Sequence, residues 1–278
     1  MIRVEKLSYR YPDGETALDG LNLEINDGDF VGVTGASGAG KTTFALALNG
    51  VVPHRTGGDF YGAVTVNGMD TVDTAPERLA MTVGSVFQDI EGQLTASMVE
   101  DELLFGLENF GVSKQDIEGR VAGALDALGI STLRCRSISG LSGGQKQKVA
   151  IAAILALEPS IMVLDEPTGE LDPQSSRQIF ELLKELNKKR GMTVVIIEQK
   201  MQLLCEFTEK LLILQKGKSL YYGATRGALA LDGLEEAGVG CPALASLSRE
   251  LSRRGLYYGP APVSIREAAE MVRGAVNG

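Results

Sequence analysis

Three cysteines in 278 residues, Cys135, Cys205 and Cys241, are too few and too scattered to form a disulfide framework or a thiolate metal site. They read as reduced thiols of a cytosolic chain. Long apolar runs are missing as well. The best candidate, Val149 to Leu157, ends at Glu158-Pro159, well short of the roughly 18 to 20 apolar residues that cross a bilayer. Any membrane contact is therefore expected to come through partners. The start, Met1-Ile2-Arg3-Val4-Glu5-Lys6, has no apolar stretch of the kind a secretory signal needs. Positive charge is in deficit, 27 Lys and Arg against 36 Asp and Glu, for a net charge of -9. That balance argues against a general affinity for nucleic acid or anionic lipid, and leaves a basic protein element open as a partner. Internal repeats, low-complexity tracts and long coiled-coil heptads are absent too. The sole histidine, His54 in Val52-Pro53-His54-Arg55, is expected to be structural or to lie at a loop surface.

The pattern that is present is strand–helix alternation. The N-terminal part alternates like β structure over Ile2 to Tyr9, Leu21 to Ile25 and Phe30 to Thr34, with turn signals at Pro12-Asp13-Gly14 and Asn26-Asp27-Gly28. A helix is expected from Lys41 to Asn49, and a further strand pair around Ala63 to Val66 and Thr82 to Phe87. From Ser97 to about Leu128 the pattern turns helical, broken at Gly111-Val112-Ser113. Strands return at Ser160 to Asp165, Thr193 to Glu198 and Lys210 to Leu214, alternating with helices near Pro173 to Lys189 and Met201 to Phe207. This order predicts an α/β fold with a mostly parallel sheet covered on both faces, and a helical insert projecting from it. After Gly223 the composition shifts to Ala, Gly, Leu and Arg. Helices are expected there at Pro242 to Arg254 and Ser264 to Gly274, the second opening on a capping-box pattern, Ser264 to Glu267. The tail, residues 224–278, reads as a separate helical appendage on a main domain spanning 1–223.

Three short segments carry chemistry. Gly35-Ala36-Ser37-Gly38-Ala39-Gly40-Lys41-Thr42 lies between a strand and a helix. Its glycines, Gly35, Gly38 and Gly40, let backbone N–H groups turn inward around phosphates, and the helix adds the positive end of its dipole. Lys41 can reach the outer phosphates of ATP, and Thr42 can place a hydroxyl on Mg²⁺. Ser37 and Thr43 belong to the same expected nucleotide site. The second segment, Ile161-Met162-Val163-Leu164-Asp165-Glu166, is an apolar strand ending in acid. A carboxylate at that position is costly without a cation partner, so Asp165 is expected to act on Mg²⁺ and Glu166 to act as general base on the attacking water. The third, Leu141-Ser142-Gly143-Gly144-Gln145, opens a helix and is a second phosphate receptor. Two such receptors cannot both close on one phosphate within one compact chain of this layout.

The three segments, in this order over roughly Ile2 to Gly223, resemble the ABC-type ATPase family, whose members sandwich ATP between two subunits. The resemblance implies a P-loop core with an antiparallel β edge and a helical signature subdomain at about 89–145. It also implies that Ser142, Gly144 and Gln145 contact ATP held on a partner subunit's P-loop. By the same resemblance Gln88 ligates Mg²⁺ and senses the membrane partner, Tyr11 stacks on adenine, and Asp172 in Gly169-Glu170-Leu171-Asp172 couples the two sites. One departure stands out. Where the family usually has a histidine contacting the γ-phosphate, this chain has Gln199, whose amide donates a hydrogen bond but holds no charge and shuttles no proton. Slow hydrolysis, or the weaker place in an unequal pair of ATPases, is the expectation that follows.

Shorter strings resemble the energy-coupling-factor branch, which powers uptake of vitamins and transition-metal ions. They are Leu48-Asn49-Gly50 with Pro53-His54 and Gly57-Gly58, Val86-Phe87-Gln88-Asp89, and Val99 to Leu103 leading to Phe105 to Asn109; Ile90 stands where that branch usually has proline. This resemblance implies a transmembrane scaffold subunit, a second ATPase subunit in a homo- or heterodimer, a substrate-binding membrane subunit, and placement at the cytoplasmic face of the membrane. It also implies that the tail serves dimerisation. The acidic set Glu91, Glu100, Asp101 and Glu102 offers partners for arginines of a scaffold, or simply a solvated acidic helix start. An ordinary ABC importer or exporter ATPase is the alternative. A soluble family member acting on DNA or ribosomes would need a long coiled coil or a second cassette, and neither is present.

Overall fold

The computed structural model describes residues 1–231 and 233–277. Among these described residues ten strands form two sheets: β1 (Ile2–Arg10), β2 (Thr16–Ile25), β3 (Phe30–Gly35), β4 (Asp59–Val66), β5 (Met69–Asp70), β6 (Val83–Val86), β7 (Ile161–Asp165), β8 (Thr193–Ile197), β9 (Lys210–Gln215) and β10 (Lys218–Ala224). The helices are α1 (Lys41–Leu48), α2 (Val51–His54), α3 (Pro76–Leu79), α4 (Ile90–Gln93), α5 (Val99–Asn109), α6 (Lys114–Ala127), α7 (Gly143–Ala156), α8 (Pro173–Arg190), α9 (Met201–Phe207), α10 (Thr225–Leu229), α11 (Ala243–Arg253) and α12 (Ile265–Asn277).

The larger sheet has the order β10-β9-β3-β8-β7-β6, parallel except for β10. Every residue of β3, β7 and β8 is buried, which is why these segments read as continuous apolar runs rather than alternating ones. The register aligns Val33 and Asp165 with Ile197, and Val86 with Leu164. The carboxyl ends of β3, β8, β7 and β6 therefore finish side by side along one edge, where open α/β sheets bind ligands.

The smaller sheet is antiparallel, in the order β2-β1-β4-β5. The expected pairing of Ala63–Val66 with Thr82–Phe87 does not occur. β4 pairs with β1 and β6 with β7. The burial explains the split. In β4 Val64 and Val66 point inward between more exposed neighbours, as on a sheet with one covered face. Val83, Gly84 and Val86 are buried in the middle layer of the molecule.

Helices α5, α6 and α7 form the insert, packed through Val99, Leu103, Leu107, Val121, Leu125, Val149 and Ala152. Arg134 ties two of them together. Its Nε donates to Glu100 at 3.0 Å and its Nη1 to Glu118 at 2.7 Å. The tail helices lie close to their expected bounds, but the composition shift after Gly223 marks no gap in the interior. Ala228, Leu229, Leu234, Ala237, Val239 and Ala245 belong to the same buried cluster as the parallel sheet. The expected capping pattern is half formed: Glu267 N–H donates to Ser264 Oγ, while the Glu267 carboxylate accepts from Val263 N–H and Arg226.

Candidate nucleotide site

Because β3, β7, β8 and β6 end together, the four segments that follow them converge. The loop Gly35 to Gly40 leaves β3 and enters α1. Gly40 sits at φ +99°, and a Cβ there would lie 2.3 Å from the Ala17 carbonyl oxygen; one at Gly35 would lie 2.2 Å from that of Leu214. Bulkier residues would push the loop off the sheet. Lys41 is buried, and its Nζ donates to the carbonyls of Gly35 at 3.0 Å and Ala36 at 2.8 Å. The ammonium is thus held inside its own loop, with a third donor left for a ligand.

Asp165 closes β7, 4% exposed. Burial pushes its carboxyl above the ordinary value of 3.8; the Thr42 hydroxyl opposes that rise and the neighbouring Glu166 adds to it. A buried carboxylate kept reluctant to ionise, facing a hydroxyl, is a donor set that a hard divalent cation would relieve. Gln88, following β6, brings an amide to the cavity that Lys41, Thr42 and Glu166 line, beside rather than at Asp165. Among the described residues no group of three or more His, Cys, Asp or Glu side chains is placed to hold a metal ion by itself. Few protein ligands suit Mg²⁺, which keeps waters and takes substrate phosphate oxygens.

Glu166 adopts φ +48°, the left-handed region that a non-glycine residue enters at a cost of about 1–3 kcal/mol. Its N–H donates to Ile197 O at 3.0 Å. The turn swings its side chain away from that of Asp165 and towards the cavity. One carboxylate oxygen accepts from Gln199 Nε2 at 2.6 Å, the other from Gln88 Nε2 at 3.2 Å. Tyr11 donates or accepts at Thr43 Oγ1, 3.0 Å away, and packs edge-on to Tyr9 with ring centroids 4.9 Å apart.

The resulting cavity, about 250 Å³, is lined by Tyr11, Glu15, Ala17, Ser37, Gly38, Gly40, Lys41, Thr42, Thr43, Gln88, Glu166 and Gln199. Glu15 was not expected there. Its signal was only its position in the turn after Tyr11. His54 lies elsewhere, its Nε2 3.0 Å from Thr71 O.

Ser142, Gly144 and Gln145 are not brought to this cavity. They line another, of about 260 Å³, with Lys148, Leu171 and Ser175 among its walls. Ser142 caps α7 in a reciprocal box with Gln145. Asp172 caps α8: its carboxylate accepts from Gln174 N–H, Ser175 N–H and the Ser175 hydroxyl, and the Ser175 bonds hold its pKa below the ordinary carboxylate range. The acidic set on the insert is largely engaged internally. Glu100 binds Arg134, Glu102 accepts from Thr95 and Ala96 N–H, and Glu91 pairs with Lys146. Asp101 remains exposed.

The P-loop residues and the set Ser142, Gly144 and Gln145 thus line two different cavities of the chain. A family model described as "ABC transporter" matches residues 18–169, and the chain belongs to that family. The Energy-coupling factor transporter ATP-binding protein EcfA2 of Caldanaerobacter subterraneus is 36% identical over 98% of this chain and 96% of its own length. A putative ABC transporter ATP-binding protein of Pyrococcus horikoshii is 37% identical over 92% of this chain and 91% of its own. Some relatives are longer: the chain spans 38% of one Methanosarcina mazei protein of the same description. Among solved structures, CbiO1 of Clostridium perfringens, part of the ABC transporter complex CbiONQ, is 29% identical over 89% of this chain and 98% of its own, with a TM-score of 0.77. The ATP-binding cassette MJ0796, a dimer bound to ADP and Pi in a post-hydrolysis state, is 28% identical over 82% and 100%, with a TM-score of 0.70. The protein is an ABC-type ATPase subunit of a transporter, with the P-loop fold of that family, and it couples ATP hydrolysis to transport.

Proposed function

We propose that this chain is one of two ATPase subunits of an energy-coupling-factor importer for a vitamin or a transition-metal ion. The observation that carries the two-subunit reading is the separation of the P-loop cavity from the cavity at Ser142, Gly144 and Gln145. The names of EcfA2 and CbiO1 support the branch.

On this reading Lys41 and the loop N–H groups bind the ATP phosphates, and Tyr11 lies against the adenine. Thr42, Asp165 and Gln88 would hold Mg²⁺, which supplies charge neutralisation between the phosphates. Glu166 orients and accepts a proton from the attacking water, with Gln199 and Gln88 fixing its two oxygens. Ser142, Gly144 and Gln145 of each subunit serve the nucleotide on the other, and Asp172 stands in the loop joining the two faces. ATP binding draws the subunits together and hydrolysis releases them, which moves the groove against a membrane scaffold subunit.

No described helix is long and apolar enough to cross a membrane; on this reading the chain sits at the cytoplasmic face through its partners, as the names of EcfA2 and CbiO1 support. The tail is assigned to subunit pairing. Ile265 and Val276 on α12 are 73% and 78% exposed, an apolar surface suited to a second subunit.

The test is affinity purification from detergent-solubilised membranes, with mass spectrometry of whatever accompanies the chain. A polytopic scaffold, a second ATPase and a small substrate-binding membrane protein are expected. A periplasmic or lipid-anchored binding protein instead would replace this reading with an ordinary ABC importer. In the same complex Ser142→Ala should abolish hydrolysis while the isolated chain still binds ATP.

A further inference from the structure

Strand β8 is followed directly by Glu198-Gln199-Lys200, and two of these three residues have no part in the site as described. Glu198, the residue just past β8, is 2% exposed. A buried carboxylate is expensive unless its oxygens are fully engaged, and here they are. One accepts from the Gln199 and Lys200 N–H groups at 2.8 and 3.3 Å; the other accepts from the Thr168 hydroxyl. Lys200 turns its ammonium onto the same residue. Its Nζ donates to Thr168 O at 2.5 Å, to Leu171 O at 3.2 Å and to Ser176 Oγ at 2.8 Å. All three of its donors end on the segment leading from Glu166 into α8.

Thr168 is fully buried and gripped at both its hydroxyl and its carbonyl. It sits two residues after Glu166, whose left-handed backbone persists only if its surroundings hold it. It also lies four residues before Asp172, in the segment whose Leu171 lines the cavity of Ser142. We propose that Glu198 and Lys200 are positioning residues: by clamping Thr168 they hold the strained turn that aims Glu166 at the nucleotide, and they make the 166–172 segment move as one body with the end of β8. Gln199, lying between the two clamps, contacts Glu166 directly and so rides on the same body. The consequence is that a shift at the nucleotide cavity is delivered to the signature cavity through Lys200 rather than dissipated in a flexible loop.

This inference rests on the reading of Glu166 as the group that faces the attacking water, and the experiment separates the two. In the assembled complex, kcat and KM for ATP are measured for Lys200→Met, Thr168→Val and Thr168→Ser, with thermal melting as a check on folding. A displaced catalytic group costs on the order of 100-fold; Lys200→Met is expected to lower kcat by about that much and leave KM within about twofold, since it leaves the phosphate loop untouched. Thr168→Val should lose kcat in the same direction and Thr168→Ser should restore it, because only the latter keeps the hydroxyl. The decisive comparison is Lys200→Met added to Glu166→Gln. If Lys200 acts through Glu166, the second change costs nothing further. Full activity of Glu166→Gln alone would overturn the role of Glu166. A folded Lys200→Met or Thr168→Val within twofold of wild-type kcat, or a Lys200→Met loss undiminished in the Glu166→Gln background, would overturn the clamp.

Discussion

Replacing Gln199 with leucine removes one hydrogen bond from the site and little else. The amide Nε2 lies 2.6 Å from Glu166 Oε1, while the other oxygen keeps its 3.2 Å bond to Gln88. Leucine nearly matches the volume of glutamine but donates nothing. A hydrogen bond to a charged acceptor contributes about 1.5–3 kcal/mol; Gln199 is exposed, so the lower end, roughly 1.5 kcal/mol, applies. At about 1.4 kcal/mol per factor of ten, kcat should fall roughly tenfold. Gln199 makes no hydrogen bond to Lys41, Thr42 or Tyr11, so KM for ATP should stay within about twofold. The assay is steady-state phosphate release by the purified complex, with a melting curve to show that the variant is folded. The same position offers a contrast. Gln199→His keeps a donor for Glu166 and adds a ring that ionises near its ordinary value of about 6.5. Turnover should therefore exceed that of wild type, and by more at pH 6 than at pH 8, where the ring is neutral. An unchanged kcat in Gln199→Leu would refute the idea that this amide supports Glu166, and Gln199→His indistinguishable from wild type at both pH values would refute the idea that it limits hydrolysis.

Asp165→Asn should raise the melting temperature of the nucleotide-free chain and remove the further rise given by ATP with Mg²⁺. A raised folded-state value means that this carboxyl stabilises the fold while protonated, a contribution lost as pH rises from 3.8 through the raised value; calorimetry at pH 7 with and without Mg-ATP checks both halves. Arg134→Met should lower the melting temperature and make unfolding of the helical insert less sensitive to acid. The Arg134 guanidinium holds the Glu118 carboxyl below its ordinary value of 4.5, so the ion pair's contribution is complete above pH 4.5 and is lost as pH falls below it; melting curves at pH 7 and pH 4 read the difference. A thiol reagent at neutral pH should label Cys135 rapidly and Cys205 only on unfolding. Burial pushes the Cys205 thiol up to about 12, whereas Cys135 is exposed; mass spectrometry of the labelled peptides gives the order.

Much of this protein was legible in the residues alone, for physical reasons that can be named. A glycine loop between a strand and a helix suits phosphate binding, and a carboxylate at the end of a buried strand is costly unless something compensates it. Hence Lys41, Thr42, Asp165 and Glu166 were expected to gather at one place, and Lys41, Thr42 and Glu166 do line one cavity. Parallel strands buried on both faces read as unbroken apolar runs, so β7, β8 and β9 were found within a residue or so of their ends. Even the impossibility of joining Ser142 to the P-loop of the same chain was implicit in the layout. What the residues did not disclose was pairing and engagement. Ala63–Val66 and Thr82–Phe87 look alike as short apolar segments, and only the packing assigns them to different sheets. Glu100, Glu102 and Glu91 look like free acid on a helix start, yet each is engaged by Arg134, by backbone N–H groups or by Lys146. The tail changes composition where the interior does not, because alanine and leucine suit a small helix and a shared core equally well. Glu198 and Lys200 were plain in the string, but a hydrogen bond across about 30 residues to Thr168 has no local signature. Local chemistry depends on residue type and spacing, which the sequence carries in full. The grip on Thr168 depends on where two strand ends meet, and only the folded sheet decides that.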